Sequence, residues 1–86
     1  MIIEQLAAAR DDVRAKHATQ IEAETAAVWG ARAVAALELY RASSANEWLI
    51  QAAQYSAEAH EHAAGGPPGT LERIKAELSA LTGGLL

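Results

Sequence analysis

The fold is decided by residues 2–42, which read IIEQLAAARDDVRAKHATQIEAETAAVWGARAVAALELYRA. Alanine, the residue with the highest helix propensity, recurs throughout this stretch, and the only internal residue that disfavours a helix strongly is Gly30. We therefore predict one helix from about Ile2 to about Ala42, on the order of 60 Å long. A compact chain of 86 residues does not need a helix of this length, so part of it must pack against something else.

An apolar stripe follows this predicted helix at Leu6, Val13, Ile21, Val28 and Ala35. Its spacing averages a little over seven residues, which is close to two turns of a straight helix. Beyond the glycine, apolar residues occupy more of the helix surface. We therefore expect the C-terminal half of the helix to be buried on more sides than the N-terminal half.

Gly30 costs a helix about 1 kcal/mol relative to alanine, so its presence requires a reason. Close approach by the second helix near Ala59 is the simplest explanation. A kink that separates the two halves of the first helix is the alternative.

A second helix is predicted at about residues 45–63. Ser44 and Glu47 fit a capping box, in which the two side chains satisfy backbone N–H groups at the helix start. The short connection makes the first two helices antiparallel neighbours and forms a hairpin. By length, the second helix covers only the second half of the first.

A third helix is predicted at about residues 71–82, after the Gly-Gly-Pro-Pro-Gly segment at 65–69. Thr70 is its expected N-cap, and Gly83-Gly84 end it. Its apolar stripe comprises Leu71, Ile74, Leu78 and Leu81. This helix either lies along the N-terminal half of the first helix or leaves that half free to pair with another subunit. The fold class is all-α: a long helix, a hairpin partner and a short amphipathic helix in an oligomeric bundle.

Composition limits the function. Eighty-six residues allow one domain, 1–86, whose core is marginal alone. The absence of cysteine excludes disulfides, thiolate metal sites and thiol catalysis. The net charge of −4 argues against nucleic-acid and anionic-membrane partners. No run approaches the ~20 apolar residues of a membrane span, so we expect a cytoplasmic protein.

One cluster has the character of a metal site. Glu58 and His62 are four residues apart on one helix face, and Glu24 is expected to face this end of the second helix. A carboxylate–histidine site built across subunits from Glu24, Glu58 and His62, with His17 as a further ligand, is therefore an alternative. The sequence lacks both the Glu-x-x-His and the His-Glu-x-x-His pattern. The simpler interpretation is that Glu58, His60 and Glu61 form a solvated helix face and that His62 closes the edge of a helix interface. We therefore predict no metal and no cofactor.

The aromatic residues are Trp29, Tyr40, Trp48 and Tyr55, and core anchoring explains them better than a ligand pocket. Trp29 is also a candidate interface anchor. The segment 37–59, with Tyr40, Trp48, Ala52 and Ala59, resembles one helical hairpin of a tetratricopeptide repeat. There is no second copy, and a solenoid needs three or more repeats, so the likeness assigns no family.

The sequence therefore predicts a non-enzymatic assembly or protein-interaction subunit, without catalytic residues, in a homo-oligomer or a larger complex such as a phage or bacterial particle. Self-association or a protein partner is expected. A small acidic regulatory binder that grips a basic partner is the other alternative. The expected interface residues are Leu6, Val13, His17, Ile21 and Trp29.

Overall fold

The computed structural model describes residues 2–86, and within them every regular element is a helix. Helix α1 spans Ile2–Ser43, α2 spans Asn46–Ala64 and α3 spans Thr70–Thr82. The longest dimension is 64 Å, the length of α1 at about 1.5 Å per residue. The predicted all-α fold and the close packing of the first two helices are confirmed.

Small residues let the three helices approach closely. One cluster of buried residues joins all three helices and contains Ala26, Ala33, Ala59, Ala63, Ile74 and Leu78. A second cluster lies nearer the α1–α2 turn and contains Ala36, Leu37 and Ala52. All four aromatic residues pack at the edges of these clusters, as predicted.

Helix α3 returns along the second half of α1 rather than along the first half. Leu78 packs with Ala26 and Ala33 of α1, and Arg41 near the end of α1 donates a hydrogen bond to the Thr82 carbonyl. The N-terminal half of α1 is therefore left without cover from its own chain, which is the second of the two predicted arrangements.

The sequence predicts that close approach by α2 explains Gly30, but the side chain nearest to an added Cβ at this position comes from α3. Gly30 is buried in an unbroken α1, and an added Cβ would lie 3.7 Å from Cδ2 of Leu78 on α3. No α2 atom lies within 4 Å of that Cβ, so close approach by α2 does not explain the glycine, although Ala59 packs in one cluster with Ala26 and Ala33 of α1.

The predicted capping box at Ser44 is wrong. Ser44 has a φ of 59°, and its N–H donates to the Tyr40 carbonyl over 2.7 Å, which closes the last turn of α1. An N-cap needs an extended backbone, so Ser44 cannot perform both tasks. The N-cap of α2 is Ala45, which provides no side-chain hydrogen bond.

Helix α3 also begins differently from the prediction. Gly69 is its N-cap, with a φ of 90°, and Thr70 is a buried residue of the first turn. Glycine adopts this left-handed conformation without the steric cost that a residue with a Cβ would meet. The stop at Gly83-Gly84 is confirmed, since Gly84 N–H donates to the Ser79 carbonyl over 2.8 Å.

The inward stripe of α3 ends on Thr82 and not on Leu81. Leu81 is exposed, whereas Thr82 is fully buried. Its hydroxyl donates to the Leu78 carbonyl and accepts from Leu86 N–H at 3.1 Å. These two hydrogen bonds satisfy the hydroxyl, so a polar side chain is accommodated in the core. The bond from Leu86 also folds the chain end back, and Leu86 packs on both clusters.

Candidate interaction surface

The first seventeen residues of α1 extend beyond the bundle. Residues 2–18 are exposed except for the half-buried Ala7. Leu6 and Val13 keep 65 and 66% of their surface exposed. A single helix of about this length is marginal in water, and most helices in proteins are stabilised by packing of one face. Large apolar side chains on such a segment mark a surface that is suited to a partner.

Four of the five predicted interface residues share this surface. Leu6, Val13, His17 and Ile21 are all exposed, and at about 100° per residue they lie within one narrow sector of α1. Trp29 is separate from them. Its ring is 5.5 Å from that of Tyr55 on α2, and the Arg32 guanidinium lies 4.8 Å from its centroid. The tryptophan therefore anchors the hairpin within the chain.

The exposed stripe does not stop where the bundle begins. Val28 is 51% and Leu39 is 46% exposed, and Ala35 between them is exposed as well. The buried residues of α1, among them Ala26, Ala33 and Leu37, lie on roughly the opposite side of the helix. Helix α1 therefore has two apolar faces, and the one with larger residues is uncovered.

Sequence reasoning placed Gly30 of the buried face at a helix contact, but it described the apolar stripe of α1 by the larger side chains alone. The signal for the buried face was present as the small residues Ala26, Gly30 and Ala33 at three- and four-residue spacing, followed by Leu37 four residues later. Where helices pack at short distance, alanine and glycine mark the contact better than valine does. The larger cluster of buried residues follows this pattern, since four of its six members are alanines.

A polar cluster lies where α1 leaves the bundle. The His62 Nδ1 of α2 is 2.6 Å from Glu22 Oε2 of α1, and its Nε2 is 3.7 Å from Glu58 Oε2. The hydrogen bond to Glu22 is the largest cause that raises the pKa of His62 above the ordinary value of 6.5. Desolvation is the second-largest cause and lowers the pKa, and the charges of Glu22, Glu58 and Glu61 each add a smaller increase.

The structure brings together two of the three metal-ligand candidates. Glu58 and His62 are neighbours, but the α1 carboxylate that reaches them is Glu22. The expectation that Glu24 faces this end of α2 is wrong, because two residues along a helix rotate a side chain by about 200°. Within residues 2–86, no three His, Asp or Glu side chains gather as a metal site.

His60 is less solvated than its sequence context indicated. The residue is half-buried, and its Nε2 is a buried side-chain nitrogen without a hydrogen-bond partner. The expectation of a fully solvated face on this part of α2 is therefore wrong for His60, although it holds for the exposed Glu58 and Glu61.

In the described residues, no helix combines the length and apolar character that crossing a membrane requires. Comparisons of this chain with models of protein families, with curated proteins and with solved structures give no match.

Proposed function

We propose that this chain is a non-enzymatic assembly subunit that binds another protein chain through the exposed apolar face of α1. The observation that carries the proposal is the exposure of Leu6, Val13 and Ile21 on one face of a helix that extends beyond its own bundle. Burial of an apolar side chain of this size is favourable by about 1.5–3 kcal/mol, so a complex in which a partner covers these residues is stabilised.

Two features support binding over catalysis as the role of this surface. It is the face of a single helix, and its side chains between Leu6 and Ile21 are apolar, charged or imidazole groups at helical spacing. The protein-binding helices of other systems present anchors at this spacing to a complementary face. The small core of alanines gives a further reason, because oligomerisation stabilises a marginal fold.

The proposal is tested by sedimentation velocity of the full chain at micromolar concentration. We expect the wild-type chain to sediment as an oligomer and a Leu6→Ser/Val13→Ser variant to sediment as a smaller species. Ile50→Ser is the matched control, since Ile50 is 60% exposed but lies on α2. A wild-type chain that is a monomer, or a control that dissociates as much as the double variant, contradicts the proposal.

A further inference from the structure

The exposed face of α1 contains a seam, which we define as nine residues spaced three and four apart between Ile3 and Ala31. All nine are exposed. Its apolar members are Ile3, Leu6, Val13, Ile21, Val28 and Ala31. Its polar members are Arg10, His17 and Glu24. The seam is about 42 Å long, or about eight helical turns.

The spacing of the seam is symmetric about His17. Towards the N-terminus the steps from His17 are four, three, four and three residues, and towards the C-terminus they are again four, three, four and three. When two copies of α1 lie antiparallel with their His17 residues facing each other, every seam residue meets a seam residue. In each facing pair the two residue numbers add up to 34.

The apolar residues match in this arrangement. Leu6 faces Val28 of the partner subunit, Val13 faces Ile21 of the partner subunit, and Ile3 faces Ala31 of the partner subunit. Ile21 is eighteen positions after Ile3, which is about five turns at 3.6 residues per turn, so nearly straight helices keep the two seams in contact.

The charges decide the direction of the second copy. In the antiparallel arrangement Arg10 faces Glu24 of the partner subunit, and the two-fold axis repeats this pair at the other end. In a parallel arrangement Arg10 would face its own copy, as would Glu24, and facing like charges disfavour association. In the described residues neither Arg10 nor Glu24 has an ion-pair partner within the chain.

The bundle does not obstruct this arrangement. Helices α2 and α3 pack on the side of α1 that carries Ala26, Ala33 and Leu37, roughly opposite the seam. A second copy therefore reaches the whole seam, and the extending N-terminal segment of each copy lies along the seam beside the bundle of the other.

We propose that the partner of the seam is a second copy of this chain, bound antiparallel along α1 with the two-fold axis at His17. The inference rests on the proposed function and adds the identity, direction and register of the partner. A different protein on the seam, or a parallel second copy, would contradict it.

Engineered cysteines test the register, because the natural chain contains none. Under mild oxidation by oxidised glutathione, His17→Cys is expected to form a disulfide-linked dimer across the axis. Leu6→Cys alone is expected to stay unlinked, because its two copies are about 33 Å apart and a disulfide needs Cα atoms within about 7 Å. An equimolar mixture of Leu6→Cys and Val28→Cys is expected to give the mixed dimer.

The control is Ile50→Cys, which is exposed outside the seam and is expected to stay unlinked. Efficient linking of Leu6→Cys to itself, or absence of the mixed dimer, overturns the antiparallel register. If the wild-type chain still self-associates and the Leu6→Ser/Val13→Ser variant still dissociates, the proposed function stands while this inference fails. A monomeric wild-type chain overturns both.

Discussion

His62 on α2 donates a hydrogen bond from its protonated ring to the Glu22 carboxylate on α1 across 2.6 Å, beside the point where α1 leaves the bundle. The interaction raises the pKa of His62 above 6.5. When the pKa of a histidine is higher in the folded state than in the unfolded state, its contribution to stability is complete below the unfolded-state pKa. This contribution is lost as the pH rises through the folded-state pKa. The contribution of His62 is therefore expected to be complete below about pH 6.5 and to be lost as the pH rises through its raised pKa.

The first prediction follows from this link. Glu22→Gln should lower the melting temperature more at pH 6 than at pH 8.5, and it should return the pKa of His62 towards 6.5 in an NMR titration of the ring protons. Glu58→Gln is the control and should have the smaller effect, since Glu58 is 3.7 Å from the ring. A wild-type His62 that titrates at or below 6.5 contradicts the prediction.

Gly30→Ala should stabilise the chain by about 1 kcal/mol, the difference in helix propensity between the two residues. The added Cβ would lie 3.7 Å from Leu78 Cδ2, an ordinary van der Waals distance. Urea denaturation at a fixed protein concentration measures the change. Gly30→Val is the comparison and should not be stabilising, because its extra methyl groups crowd Leu78. Destabilisation by the alanine would show that α3 packs closer to α1 than described.

Ala45→Asp should stabilise the chain by about 1 kcal/mol, because the N-cap of α2 has no side-chain acceptor. Ala45→Asn provides a side-chain acceptor without a negative charge, and it should retain most of the gain. Both variants are compared with the wild type by thermal unfolding at one protein concentration. No gain from either variant would mean that the turn at Ser44 does not hold residue 45 in the extended conformation.

Thr82→Val should destabilise the chain by about 1–3 kcal/mol, because Leu86 N–H would lose its acceptor near the core. Valine has nearly the same shape, so the change reports the hydroxyl rather than a cavity. Thr82→Ser keeps the hydroxyl, and it should leave the exchange of the Leu86 amide proton slow. A valine variant whose Leu86 amide exchanges at the wild-type rate contradicts this account.

Much of the fold could be predicted from the sequence, because alanine content, glycine-proline segments and repeats of three and four residues act locally. The capping residues could not, since Ser44 fits both the end of α1 and the start of α2, and only the direction of the turn decides between them. Leu81 was assigned to the inward stripe of α3 on its hydrophobicity. The residue that is buried instead is Thr82, whose hydrogen bond to Leu86 the sequence does not reveal.

The candidate surface was predicted in part. Leu6, Val13, His17 and Ile21 form an exposed face, as expected for an interaction surface. The greater burial expected for the C-terminal half of α1 does not extend to the stripe, because Val28 and Ala35 are exposed as well. The helical pattern alone does not tell which of two apolar faces of α1 its own chain uses. Placement of Glu22 instead of Glu24 beside His62 has the same origin, since it follows from the rotation of α1 relative to α2.

Sedimentation equilibrium of charge-reversal variants tests the central claim most directly. We expect the wild-type chain to be a dimer of two 9.1 kDa chains. Arg10→Glu and Glu24→Arg should each weaken the dimer by at least about tenfold in Kd, because each reversal acts at both ends of the two-fold interface. The double variant should return to within about threefold of the wild type. A double variant that dissociates as readily as the single variants, or a wild-type chain that is a monomer, would contradict the account.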